Sequence, residues 1–327
     1  MQSMRASALV PVIAIACCAS VFAQTPPPAR YPNKPIRIVV PFPPGSGADV
    51  TGRLVGLKLS EALDNTVVID NRPGAGGNIG AELAAKAPPD GYTLLLGSAS
   101  QAISASLYTD LQYSLARDFA PVSLAVSTPY LLVVHPSLPV TNVKELVALA
   151  RSRPGQLTFG SAGNGTPPHM GAELLKLATR IDIVHVPYKG GIIALTDLMG
   201  GQLSLMFNDM LITLPYAKAG KVRALAIADT HRSASAPQVP TIAEGGVAGV
   251  VVNAWYGVLA PAGTPPAIVS RLHAEMARAL QAPAVKADFT ARGSEVIAGT
   301  PEQFAAHLKS ELEKWARVVK ASGARVE

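Results

Sequence analysis

The strongest constraint on this chain is a repeating alternation of short apolar runs with longer stretches whose apolar residues recur every three or four positions. Residues 36–40, 67–70 and 93–96 read as strands, and 50–63 and 79–85 between them as helices. Two more apolar runs, 122–126 and 130–134, flank Ser127-Thr128-Pro129. A helix is predicted over 142–153, with Asn142 as its cap and Glu145 three residues on. The alternation then resumes with strand 157–160, helix 169–178, strand 183–186, helix 192–199 and strands 203–207 and 224–228. Such alternation builds an α/β protein with largely parallel sheets, because each crossover helix covers a face of the sheet it connects.

Composition agrees with that core. At 327 residues, 49% hydrophobic and 15% charged, the chain is too apolar for intrinsic disorder and long enough for about two domains. Its 28 glycines and 28 prolines interrupt any heptad run, which excludes a coiled coil. Toward the C-terminus, residues 250–259 read as a long strand after a proline-punctuated segment at 237–244. A helix over 266–280 buries Ile268, Leu272, Met276 and Leu280. Thr300-Pro301-Glu302-Gln303 opens a last helix that runs to about residue 321. Two α/β blocks with appended helices admit two architectures: consecutive lobes, or a last quarter folded back onto the first block so that two strands cross between lobes. The long strand at 250–259 favours the second.

The N-terminus is laid out as a secretory signal over residues 1–23: one positive charge at Arg5, an apolar stretch over 6–19, and Val21-Phe22-Ala23 before Gln24. The apolar stretch is shorter than the ~20 residues of a spanning helix. Both cysteines, Cys17 and Cys18, fall inside it, so the exported protein uses no disulfide, thiolate or cysteine nucleophile. Ala14 stands three residues before Cys17, where a lipidation signal has a larger aliphatic side chain. A soluble exported protein is expected. The formal charge of +6 is spread evenly, with no basic face and no interleaved aromatics, so nucleic acid is not an expected partner.

Three segments between a strand and a helix could carry chemistry: 41–49 (PFPPGSGAD), 98–101 (SASQ) and 161–166 (SAGNGT). In α/β sheets the crevice at the carboxyl ends of the strands is where ligands bind. Gly45, Gly47, Gly163 and Gly165 let backbone approach a ligand, and the helix that follows offers unpaired N–H groups and partial positive charge to an anion. Ser46, Ser98, Ser100, Ser161, Asn164 and Thr166 add neutral donors, and none of the three segments holds Lys or Arg. Two such hydrogen bonds, at about 1.5–3 kcal/mol each, fall short of the ~8 kcal/mol of a micromolar complex, so two or three loops must close on one ligand. Asp49 is expected as a helix N-cap more than as a ligand contact. For His169, behind Pro167-Pro168, packing or capping and a ligand hydrogen bond are both open. Enzyme signatures are missing: the chain has no Gly-x-Ser-x-Gly elbow, no histidines at zinc spacing, no phosphate loop and no paired carboxylates in the glycine loops. No cofactor is expected.

These motifs, with Asn71-Arg-Pro-Gly-Ala-Gly-Gly-Asn-Ile-Gly80, Val186-Pro-Tyr-Lys-Gly-Gly191, Ala219-Gly-Lys-Val-Arg-Ala-Leu225 and Val239-Pro-Thr-Ile-Ala-Glu244, closely resemble the extracytoplasmic solute receptors of tripartite tricarboxylate transporters, the Bug-type binding proteins. The resemblance covers essentially the whole chain after the signal. It implies a type II periplasmic binding fold, two α/β lobes joined by two crossing strands, with lobe 1 at 24–126 plus 253–327 and lobe 2 at 127–252. It implies a periplasmic, monomeric receptor that captures a small organic anion by lobe closure and delivers it to membrane transporter subunits. An exported sensor and, more remotely, a secreted enzyme are the alternatives. Carried onto this chain, the ligand-binding residues implied are Phe42, Gly45, Ser46, Gly47, Ala48 and Asp49 in the first loop and Ser98, Ser100 and Gln101 in the next. Ser161, Ala162, Asn164, Gly165, Thr166 and His169 follow in the second glycine loop, then Tyr188, Asn208 and Asp209. The chain departs from the family pattern at Ser46, Gln101, Ile192-Ile193 and Asn208-Asp209, where the usual acid-amide order is inverted. That inversion is expected to displace the acid from the ligand, and together with the bulky apolar Ile192-Ile193 near the cleft to favour a dicarboxylate or aromatic carboxylate over an amino acid.

Overall fold

The computed structural model describes residues 31–324; the expected secretory signal over 1–23, with both cysteines, lies outside the described residues. Within the first block, β1 (Ile36–Val40) leads into α1 (Gly47–Leu63), β2 (Val67–Asn71), α2 (Asn78–Ala85), β3 (Thr93–Ser98) and α3 (Ala99–Leu107). The long β4 (Phe119–Val134) then opens the second block, with α4 (Val143–Ser152), β5 (Thr158–Ser161), α5 (Pro167–Thr179), β6 (Val184–Pro187), α6 (Gly191–Met199), β7 (Leu205–Asp209), α7 (Met210–Lys218) and β8 (Arg223–Ile227). Last come β9 (Asn253–Pro261), α8 (Pro266–Leu280), α9 (Pro283–Ala291), β10 (Glu295–Gly299) and α10 (Pro301–Ser322).

The strand order is β2-β1-β3-β9-β4-β7-β5-β6, with β8 and β10 both paired to β4. Pairs β1–β2, β1–β3, β5–β6 and β5–β7 are parallel, as the alternating pattern requires. Ile38, Val39 and Val40 of β1 and Leu94, Leu95 and Leu96 of β3 are fully buried because helices cover both sheet faces. Each such side chain contributes about 1.5–3 kcal/mol of transfer free energy.

The expected break at residues 127–129 is instead continuous strand. β4 pairs with β9 up to Pro129, opposite Asn253, and from Tyr130 onward it pairs with β7 and β8. Pro129, which has no N–H to donate, therefore sits where the strand changes partners. The two α/β lobes meet along this strand and β9, just before which Val252 N–H donates to Ala228 O. The C-terminal segment returns to the first lobe: β9 pairs with β3, α8 packs on α1, and α10 packs on α3. Glu311 of α10 pins that return, its buried carboxylate accepting from the indole N–H of both Trp255 (3.0 Å) and Trp315 (2.9 Å).

Sequence periodicity passes over four elements. α3 is short and serine-rich, α7 carries Pro215 inside it, α9 opens on Pro283 just after α8 ends, and β10 is an interrupted strand with Ala298 in the left-handed region. The Thr300 cap forms as expected, with Gln303 N donating to Thr300 Oγ1 and Thr300 N to Gln303 Oε1. No described helix is long and apolar enough to cross a membrane, and no described group of acidic, histidine or cysteine side chains could hold a metal.

Candidate functional site

The carboxyl ends of the strands converge on a narrow cavity of about 40 Å³, lined by the first residues of five helices. Gly47 and Ala48 open α1, Ala99 and Ser100 open α3, Pro167 and Pro168 open α5, Gly191 opens α6, and Asp209 with Ile212 stands at the start of α7. A helix terminus carries roughly half a positive charge on its unsatisfied N–H groups, although at α5 Pro167 and Pro168 have no N–H to offer and at α7 the Asp209 carboxyl already takes Leu211 N. None of the lining residues is Lys, Arg or His. Positive potential here comes from peptide dipoles.

The first glycine loop is shaped by its own side chains. Ser46, not Asp49, is the N-cap of α1; its Oγ accepts from Asp49 N at 3.2 Å. Asp49 lies one turn in and holds the loop from behind, its carboxylate accepting from Gly45 N (2.9 Å), Arg53 Nε (2.9 Å) and Asn71 Nδ2 (2.9 Å). Burial pushes the Asp49 pKa up, but the hydrogen bonds from Arg53, Gly45 and Asn71 outweigh it and hold the carboxyl below its ordinary value. Gly45 adopts φ +80°, which only glycine takes without strain. Gly47 and Ala48 line the cavity, and as the first residues of α1 their N–H groups have no intrahelical acceptor.

The second glycine loop is held by neutral groups. Gly163 O accepts from Ser161 Oγ (3.2 Å) and Thr166 Oγ1 (2.6 Å), and Gly165 N donates to His169 Nδ1 (3.2 Å). Ser161 Oγ also meets His185 Nε2 at 2.7 Å. The two imidazoles stack at 4.2 Å over Phe159. Burial drives both pKa values down to about 4, helped by Lys176 for His169 and by His169 itself for His185. His169 thus takes the packing-and-capping role and does not line the cavity.

Of the residues singled out in the sequence, Phe42, Ser46, Gly47, Ala48, Ser98, Ser100, Ala162, Thr166, Asn208 and Asp209 line this cavity. Gly45, Asp49, Ser161, Gly165 and His169 support it from behind through the bonds just described. Gln101 also supports it: its Oε1 accepts from Ser98 N at 2.9 Å, making residues 98–101 the start of α3 and not a loop. Asn164 and Tyr188 line an adjoining cavity with the residue 74–77 turn and Lys189; Phe42 and Ala162 wall both spaces. The Tyr188 hydroxyl donates to Asp197 at 2.7 Å, and burial with that contact pushes the phenol up to about 12.

Asp209 is not displaced by the inverted order. Strand alternation would turn residues 208 and 209 to opposite faces, but Asp209 is the N-cap of α7, where the chain leaves the strand, and both residues line the cavity. Asn208 Nδ2 is buried and has no partner, a donor left for an incoming acceptor. The Asp209 carboxyl accepts from Leu211 N (2.9 Å), Thr128 Oγ1 (3.3 Å) and the Tyr256 hydroxyl. Burial raises its pKa to about 6 despite those bonds. Tyr130 and Tyr256, which sequence reasoning missed, form the adjacent wall; the available signal was a phenol inside an otherwise apolar strand, directly after Trp255 in the case of Tyr256.

Comparison with known proteins matches this arrangement to one family. The model of the tripartite tricarboxylate transporter family receptor matches residues 51–324. A UPF0065 protein in the tcbD-tcbE intergenic region of Pseudomonas sp. (strain P51) is 40% identical, over 88% of this chain and 86% of the relative. Protein BugT of Bordetella pertussis is 37% identical over 99% of this chain and 100% of its own length. Among solved structures, R. palustris Rpa4515 with adipate is 37% identical with TM-score 0.88, over 90% of this chain and 100% of that one. MatC (Rpa3494) from Rhodopseudomonas palustris with bound malate is 33% identical with TM-score 0.85, over 88% of this chain and 100% of that one.

Proposed function

The chain belongs to the tripartite tricarboxylate transporter receptor family and is a solute-binding receptor, not an enzyme; on that premise we propose that its cleft takes a small dicarboxylate. The observation that carries this reading is the cavity ringed by five helix N-termini, with no cationic side chain and with the Asn208 amide unpartnered. Backbone amides in a water-poor site stabilise carboxylate without the desolvation cost of a buried lysine. The solved relatives with adipate and with malate hold dicarboxylates, which supports the same class here.

In this reading the receptor is exported through residues 1–23 and acts as a monomer outside the cytoplasm. Lobe 1 (24–126 with 253–327) and lobe 2 (127–252) close about the strands near residues 127–130 and 252–254, and the closed form is what the membrane subunits of the transporter recognise. The partner change within β4 supports that division.

A thermal-shift panel of four- to six-carbon dicarboxylates, their diamides, aromatic carboxylates and amino acids tests the ligand class. A dicarboxylate at 100 times its Kd stabilises by about 2.7 kcal/mol, and its diamide by nothing measurable. Stabilisation by an amino acid alone, or by no carboxylate at all, would sink the reading.

A further inference from the structure

A buried carboxyl group stands inside a cavity built to attract carboxylates, and nothing cationic lines the space to balance both. We propose that Asp209 is the specificity-determining residue of this cleft and makes capture proton-coupled, so that the receptor takes up one proton on Asp209 as a dicarboxylate enters. The proposal rests on the dicarboxylate reading above and goes beyond it by naming a co-bound proton.

The geometry requires close approach. Asp209 lies on the second lobe, yet a Cβ built on Gly47 at the start of α1 would overlap Asp209 Oδ2 and lie 2.6 Å from the Tyr256 hydroxyl. The carboxyl oxygen and the α1 amides that would grip a ligand therefore share the same few ångströms. Two carboxylates in such a space cannot both stay ionised at ordinary cost; one is driven to its protonated form. The groups facing Asp209 offer no other neutralisation. β9 presents Tyr256 and β4 presents Tyr130 and Thr128, both phenols being pushed further up by burial and by Asp209 itself. α1 presents Gly47, and its ionised pair, Asp49 with Arg53, is tied to Gly45 and Asn71. α6 presents Gly191. In the ligand-free protein burial already raises the Asp209 pKa to about 6, so a further rise on ligand entry carries it across neutral pH. The proton comes from solvent, and the Asp209 hydroxyl so formed becomes a donor toward the ligand.

Calorimetric titration with adipate and with malate, each in three buffers of different ionisation enthalpy at pH 7.5, reads the proton directly. Wild type is expected to take up between about half and one proton per ligand, with Kd tightening by up to about tenfold per unit of pH lowered from 8 to 7. Asp209→Asn is expected to bind more tightly at pH 8, with no buffer dependence. If the Asn variant does not fold, Asp209→Ser keeps an N-cap oxygen for α7 and carries the same expectation. Binding to wild type without buffer dependence, or with the same dependence in the variant, overturns this proposal and leaves the dicarboxylate reading standing. Absence of binding by both dicarboxylates to wild type and variant overturns both.

Discussion

The two glycine loops do the same job with different chemistry. Each turns a strand into a helix whose first residues line the cavity, and each is held from behind by a side chain one helical turn away together with one from the neighbouring strand, Asn71 for the first and His185 for the second. The first is clamped by charge: the Asp49 carboxylate gathers Gly45 N, Arg53 and Asn71. The second is clamped by neutral imidazole and hydroxyl: His169 accepts from Gly165 N, and His185 meets Ser161. A backbone conformation suited to anions can thus be secured by either sign of titration, and the two clamps fail under different conditions.

The largest expected difference appears on acidification. A buried imidazole that stays neutral to about pH 4 keeps its stability above pH 6.5, and that stability is lost as pH falls toward 4, because only the unfolded imidazole takes up a proton. For His169 the loss approaches roughly 3 kcal/mol. Asp49, with its pKa held low, keeps its contribution until pH falls below the ordinary carboxylate range. Asp209 acts with the opposite sign to the histidines, gaining stability as pH falls through 6, so the measurement must be a difference. Urea unfolding of wild type and His169→Gln at pH 7 and pH 4.5 is expected to show a steeper acid loss in wild type. Parallel losses would erase the contrast between the loops.

Next in size is the charge of the first clamp. Asp49→Asn nearly keeps the shape but removes the charge and one of the two acceptor oxygens that take Gly45 N, Asn71 and the half-exposed Arg53, and is expected to cost about 1–2 kcal/mol at pH 7. Ligand affinity falls with it, since Gly47 and Ala48 lose their fixed direction. A variant with unchanged midpoint in urea would show that backbone geometry, not charge, holds this loop.

The smallest effect sharpens the local picture. Ser46→Ala removes the N-cap of α1 and is expected to cost about 1 kcal/mol, whereas Ser46→Gly costs only a few tenths. Thermal midpoints at pH 7 distinguish the two. Equal losses would place the Ser46 side chain's importance in packing at the cavity wall.

Much of this was legible in the residues. Parallel strands such as 36–40 and 93–96 announce themselves because helices bury both faces, and burial demands unbroken aliphatic runs. The glycine loops, their neighbouring Ser46 and Ser98, and the lack of any cation among them were readable because backbone conformation and capping are local. β10 and α7 were not, since pairing to β4 and a proline inside a helix override propensity.

The sequence alone determined the family, the alternating architecture and the neutral, backbone-led character of the ligand loops. Tertiary structure alone decided that five helix starts meet at one cavity, that Tyr130 and Tyr256 wall it, and that the Asp209 carboxyl crosses to Gly47 on the opposite lobe. The reason is physical. Capping and periodicity act within a turn or two of chain, whereas burial, pKa and encounter depend on which distant segments are brought within a few ångströms of one another.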